Sequence, residues 1–133
     1  MKIVAAYRAP IEQVEEFLHT TENVEKHGLL KDGYIVYMDD RIQGCFRLTN
    51  MEADIYWLKQ LYIAKEAAAS LPVLIESILQ MLKGQNAKKV YVHSHQPVVD
   101  LLLEALQFYP HQTKEVTDKY PQDGGNWWAF QVS

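Results

Sequence analysis

The chain has 133 residues, 48% of them hydrophobic and 23% charged, with a formal charge of −4 and one cysteine. That length suits one domain, 1–133, large enough to bury a core, and the acidic balance argues against a nucleic-acid binder. No apolar run reaches the about 20 residues that span a bilayer, and MKIVAAYRAP is too short and interrupted for a signal peptide. The lone Cys45 forms no internal disulfide, and a cytoplasmic protein is expected.

Lys2 to Tyr7 reads as a first strand. A helix follows Ala9-Pro10, with Ile11, Val14, Phe17 and Leu18 on one face and Glu12, Glu15 and Glu16 on the other. Thr20 to Lys26 either extends it or forms a second short helix, and Gly28 ends it. Asp32-Gly33 is a turn. Tyr34 to Met38 and Arg41 to Leu48 are strands joined tightly at Asp39-Asp40, a hairpin signal. Asn50 to Glu52 make a further turn into a strand that starts near Asp54 and ends in Leu61, Tyr62 and Ile63. These strands form an antiparallel meander.

Ala67 to Ser70 are a small-residue break. Leu71, Leu74, Ile75, Ile78, Leu79 and Leu82 then recur at helical spacing until Gly84, Gln85 and Asn86 stop the helix. Lys89 to His93 is a strand. Strand, crossover helix and strand make a central βαβ unit, with the two strands parallel. Pro97 opens a helix over Val98 to Phe108, which Pro110 ends. His111 to Val116 is a candidate strand and Thr117 to Asn126 a loop with the makings of a lid. Trp127 to Val132 is the last strand, pairing with the one before it as a long-looped hairpin.

Among single residues, His93 and His95 alternate at a strand end and point the same way. Without a third ligand they do not make a metal site, and none is expected; His93 is a weak candidate base. His19, His27 and His111 read as surface residues and Cys45 as a buried, inert thiol. Trp127 and Trp128 face opposite sides of their strand, one toward the core and one toward a cleft or partner. The same Trp-rich strand is a candidate homodimer surface, since exposed edge strands need cover.

The order of elements resembles the GNAT superfamily of acyl-CoA N-acyltransferases, and three segments carry the likeness. Asp39-Asp40-Arg41-Ile42-Gln43-Gly44 is similar to its acidic hairpin. Leu61-Tyr62-Ile63 stands where that family has a Leu-x-Val strand end before its coenzyme A loop. Gln96-Pro97 through Leu103-Glu104-Ala105-Leu106-Gln107-Phe108 is similar to its Asn-Pro…Leu-Tyr-Glu-x-Leu-Gly-Phe segment. The resemblance implies an α+β / α/β fold with a mixed sheet: N-terminal meander, central βαβ unit, C-terminal hairpin.

It also implies a cytoplasmic enzyme moving an acetyl or other acyl group from acetyl-CoA or another acyl-CoA to an amine. No metal, nucleic acid or membrane is involved. Leu61, Tyr62, Ile63, Ala68, Ala69, Ser70 and Gln96 would contact the coenzyme, with Ser70 as the N-cap of the following helix.

The sequence departs from that pattern twice. The loop Ala64 to Pro72 lacks the family's glycines, which let backbone N–H groups reach a pyrophosphate. The family's general-acid tyrosine aligns with Leu103, which holds no proton to give. The alternative is therefore a catalytically inactive GNAT-fold module that binds a ligand or a protein.

Overall fold

The computed structural model describes residues 1–21, 24–111 and 125–133. The elements run β1 (Lys2–Ala5), α1 (Ile11–His19), α2 (Lys26–Asp32), β2 (Gly33–Met38), β3 (Arg41–Glu52), β4 (Ile55–Ile63), α3 (Leu71–Gly84), β5 (Lys89–Ser94), α4 (Pro97–Ala105), β6 (Tyr109–Pro110) and β7 (Asn126–Gln131), with 3-10 turns at Ala6–Arg8 and Lys65–Ser70. Among the described residues the strands form a seven-stranded sheet in the order β1-β2-β3-β4-β5-β7-β6. The α+β architecture is the one expected. Backbone contacts group the chain into two compact units, Met1–Thr49 with Leu58–Leu74 and Asn50–Trp57 with Ile75–Ser133.

In the first unit, β1 pairs antiparallel with β2 and β2 with β3. Asp39 and Asp40 both take left-handed backbone angles (φ +54° and +60°). A two-residue turn of that hand matches the twist of its flanking strands, and aspartate tolerates the conformation. Val14 and Phe17 of α1, Leu29 of α2, Ile35 of β2 and Cys45 of β3 close the core with Ala6. Cys45 is fully buried, and burial pushes its thiol up to about 12, so it is the inert residue expected.

Several boundaries differ from expectation. β1 stops at Ala5 because the buried Ala6 turns the chain toward α1 through a 3-10 bond from Ala9 N–H to its carbonyl. Gly28 does not end a helix but lies buried inside α2, under the Arg47 guanidinium, which a Cβ there would overlap. Asp32-Gly33 is no turn, since α2 passes straight into β2, its last carboxylate held by Arg47 and Thr49. β3 runs on through Glu52, and its turn falls instead at Ala53-Asp54, with Asp54 left-handed at φ +62°.

In the second unit, Lys88 N–H donates to the Asp54 carbonyl at 2.7 Å. The starts of β4 and β5 therefore lie together, as a parallel crossover requires. β5 pairs antiparallel with β7 from Lys89↔Gln131 to Ser94↔Asn126, and β7 also pairs with β6 at Tyr109↔Ala129. Tyr91, Trp127 and Ala129 are buried together, with Met51, Ile55 and Trp57 packed on them. Trp128 is buried too, donating its indole N–H to Asp100 Oδ1 at 2.7 Å, so neither tryptophan is left for a cleft. β6 is Tyr109–Pro110, just ahead of the strand expected over 111–116, and His111 lies outside it. Residues 112–116 and nearly all of the candidate lid lie outside the described residues.

Both α3 and α4 are followed by a left-handed residue that is not glycine. α3 ends at Gly84 and left-handed Asn86 (φ +62°) follows, with Ala87 N–H on Leu82 O and Asn86 N–H on Lys83 O. α4 ends at Ala105, short of Phe108, because left-handed Gln107 (φ +75°) sets up the same pair of bonds to Leu103 and Glu104. Gly84 thus has no role in the stop, and a Cβ there meets nothing within 4 Å. Gly84→Ala is expected to stabilise the protein by about 0.5–1 kcal/mol, read as a higher urea midpoint at unchanged slope.

Candidate functional site

The end of β4 and the loop after it carry the candidate residues of the first unit. Ala64 N–H donates to Gln43 O at 2.6 Å, and a Cβ on Gly44 would lie 2.6 Å from Tyr62 O. Tyr62 and Ala64 therefore turn their backbone polar groups toward β3. By strand alternation, Leu61 and Ile63 turn theirs the other way. The Tyr62 side chain is spent on packing, its ring edge-on to Phe17 with centroids 5.7 Å apart.

The segment Lys65–Ser70 is wound rather than open. Ala67 N–H donates to Ala64 O at 2.9 Å, and Leu71 N–H donates to Ala68 O. Ser70 is the last residue of this 3-10 turn and directly precedes Leu71, the first residue of α3, so the chain enters that helix already wound. Ala68 and Ala69 are exposed at the surface of the turn, beside Lys65 and Glu66. A run of residues with nothing larger than a methyl group reads as a break in sequence, yet it coils readily because alanine favours helical angles.

In the second unit, β5 and the start of α4 place the other candidates. Gln96 precedes α4 with an exposed side chain, and its backbone N–H and C=O both bond the Ser94 hydroxyl, at 3.2 and 3.1 Å. The two histidines do come together, ring centroids 4.5 Å apart and edge to face, with His93 also against Trp127 at 5.0 Å. Gly125 (φ +72°) lies on this pair, and a Cβ there would approach His93 Cε1 to 2.8 Å and His95 Nδ1 to 3.0 Å. No group of three His, Cys, Asp or Glu able to hold a metal ion is found among the described residues. Leu103, at the family tyrosine position, is a core residue at 1% exposure.

Two features escaped the sequence reading. Gln60 takes a left-handed backbone (φ +52°) within β4, and its side-chain Oε1 is buried without a hydrogen-bond partner. Asp32, Arg47 and Thr49 form a bonded network at the end of α2, with Lys59 in its field. No spacing rule brings these residues together; the β2–β3 register, with Gly33 opposite Arg47, does.

No protein-family model and no curated protein matches the chain. Solved structures do. A GNAT-family acetyltransferase from Staphylococcus aureus Mu50 superposes with a TM-score of 0.74 at 13% identity, covering 99% of each chain. N-acetylglutamate synthase from Neisseria gonorrhoeae, solved with coenzyme A and N-acetyl-glutamate, gives 0.72 at 15% identity over 99% of this chain and 35% of its own. Rv2747 from Mycobacterium tuberculosis, solved with CoA, gives 0.70 at 11% identity over 98% and 99%. The chain is a GNAT-fold protein. No helix among its described residues is long and apolar enough to cross a membrane.

Proposed function

We propose that this protein binds an acyl-CoA along the side of β4 that turns away from β3, at the strand's end, and transfers its acyl group to an amine. The observation that carries the reading is the end of β4: Tyr62 and Ala64 face β3, so Leu61 and Ile63 present their backbone N–H and C=O groups away from it. Such groups suit the amides of a pantetheine arm and the polarisation of a thioester carbonyl. The thioester supplies the activated carbonyl. An amine nitrogen attacks it, the C–S bond breaks as the C–N bond forms, coenzyme A leaves as its thiolate, and the proton that the amine gives up passes through water to that thiolate. Ala68, Ala69 and Ser70 complete the coenzyme contacts of this unit. The grip on the pyrophosphate is weak, because the N–H groups of Ala67 and Leu71 are already bonded within the Lys65–Ser70 turn.

That last observation favours a second reading, a non-catalytic GNAT-fold binding module. Thermal unfolding with acetyl-CoA, coenzyme A and longer acyl-CoAs separates the two. A ligand at about 100 times its dissociation constant stabilises by about 2.7 kcal/mol, a rise of several degrees for a protein of this size. A rise with an acyl-CoA supports the transferase, and product formation from an amine panel follows from it. No rise with any of them sinks the transferase reading.

A further inference from the structure

The tip of the β2–β3 hairpin and one stripe of α1 border a cavity that neither the β4 edge nor the histidine pair uses. It lies wholly within the first unit and has a volume of about 360 Å³. One wall is Gln13, Glu16 and Phe17 of α1, with Thr20 at the helix end. Steps of three and four residues put these on one side of the helix. The other wall is Asp40, Arg41 and Ile42 of the hairpin. A register shift between Val36 and Tyr37 sets Tyr37 opposite Ile42. The extra residue lets Ile42 pack on the same core as Cys45, an odd spacing that unbroken alternation would forbid. Tyr37 O–H then donates to Gln13 Oε1 at 2.9 Å and ties the hairpin to the helix.

The floor of the cavity is apolar. Phe17 belongs to the core at 9% exposure, and Ile42 packs against that core. Charges of both signs stand around it. Glu16 from the helix and Asp40 and Arg41 from the hairpin are exposed, and among the described residues none of the three has an ion-pair partner. Thr20 donates its hydroxyl to Phe17 O at 2.8 Å and keeps an oxygen that accepts. Gln13 accepts from Tyr37 and keeps an amide nitrogen that donates. An apolar floor ringed by a few polar groups is the makeup of a small-molecule site. Two carboxylates suit an ammonium, a guanidinium suits a carboxylate, and Phe17 with Ile42 suits an apolar stem.

We propose that this cavity binds a free α-amino acid with an apolar side chain, its ammonium toward Glu16 and Asp40 and its carboxylate on Arg41. The site uses none of the residues assigned to the coenzyme, so it stands or falls apart from the transferase reading. The test is a titration of the coenzyme-free protein with L-leucine at low salt, followed by backbone amide chemical shifts. L-leucine is expected to saturate the shifts of α1 and of the hairpin tip around Asp40. Isoamylamine, which lacks the carboxylate, and isocaproate, which lacks the ammonium, are each expected to bind more weakly. Glu16→Gln and Arg41→Gln, surface changes that spare the fold, are each expected to weaken L-leucine about two- to fivefold. Arg41→Gln is expected to leave isoamylamine binding undiminished, since that ligand has no carboxylate to lose. No saturable response to L-leucine, or shifts that gather away from α1 and the hairpin tip, overturns the proposal. So does equal affinity in wild type and both variants, or binding of either analogue as tight as that of L-leucine.

Discussion

Gly44→Ala is expected to destabilise the protein by about 1–3 kcal/mol and to abolish any thermal response to an acyl-CoA. The added Cβ would lie 2.6 Å from the Tyr62 carbonyl oxygen and 3.5 Å from Ile63 Cα. Both are backbone atoms, so no side-chain rotation relieves the overlap, and β3 must move away from β4. Overpacking of this kind typically costs the amount given, a large share of a stability of about 5–15 kcal/mol. The displaced atoms are the ones that fix the direction of Leu61 and Ile63, so the same change distorts the proposed coenzyme edge. Urea unfolding reads the first effect, and thermal shift with acetyl-CoA reads the second. An unchanged midpoint would mean that the two strands do not approach as closely as described. A lower midpoint with an intact coenzyme response would separate the β4 edge from coenzyme binding.

Gly44 shows how far sequence goes here. Its place in the acidic hairpin was legible because Asp39-Asp40 marks a turn that aspartate can adopt, and the alternation on either side sets the strands. The apolar face of α3 was legible for the same reason: Leu74, Ile75, Ile78 and Leu82 follow the helical repeat and are all fully buried. The stop of α3 over Gly84 to Asn86 was legible as well, though Asn86 and not the glycine takes the left-handed position. The end of α4 was not: left-handed Gln107 stops it at Ala105, a choice set by where the Phe108 N–H finds a carbonyl.

Gly28 illustrates a second limit, since nothing local says that a glycine is a seat for a guanidinium nineteen positions away in sequence. Of the candidate site, the chain order yielded the segments but not their hydrogen bonding. Whether Ala67 N–H faces solvent or Ala64 O depends on how the loop winds, which four small residues leave undetermined. Gln60 left no trace, because glutamine neither favours a left-handed backbone nor belongs to any strand-bulge pattern.

Restoring the tyrosine of the family pattern tests whether the missing general acid is a simple loss. Leu103→Tyr is expected to yield no gain in acyl transfer and a less stable protein. Leu103 is 1% exposed on α4, and its carbonyl also accepts the Phe108 N–H that closes the helix. A tyrosine there inserts a larger ring and a hydroxyl into a packed interior. The ring costs about 1–3 kcal/mol by overpacking, and a hydroxyl left without a partner adds to that. Leu103→Ala is the companion variant, expected to lose about 2–5 kcal/mol by emptying the same space. The two together distinguish a packed position from a merely covered one, since only a packed position loses stability in both directions.

Chemical denaturation measures both variants, and an acyl-transfer assay with a panel of amines is run on whichever remain folded. With Leu103 in the core, an acyl transfer would take the proton for its departing thiolate from elsewhere, with water as a donor. If Leu103→Tyr instead keeps wild-type stability and gains transfer activity, the position opens on the reaction site and the leucine is a reversible inactivation.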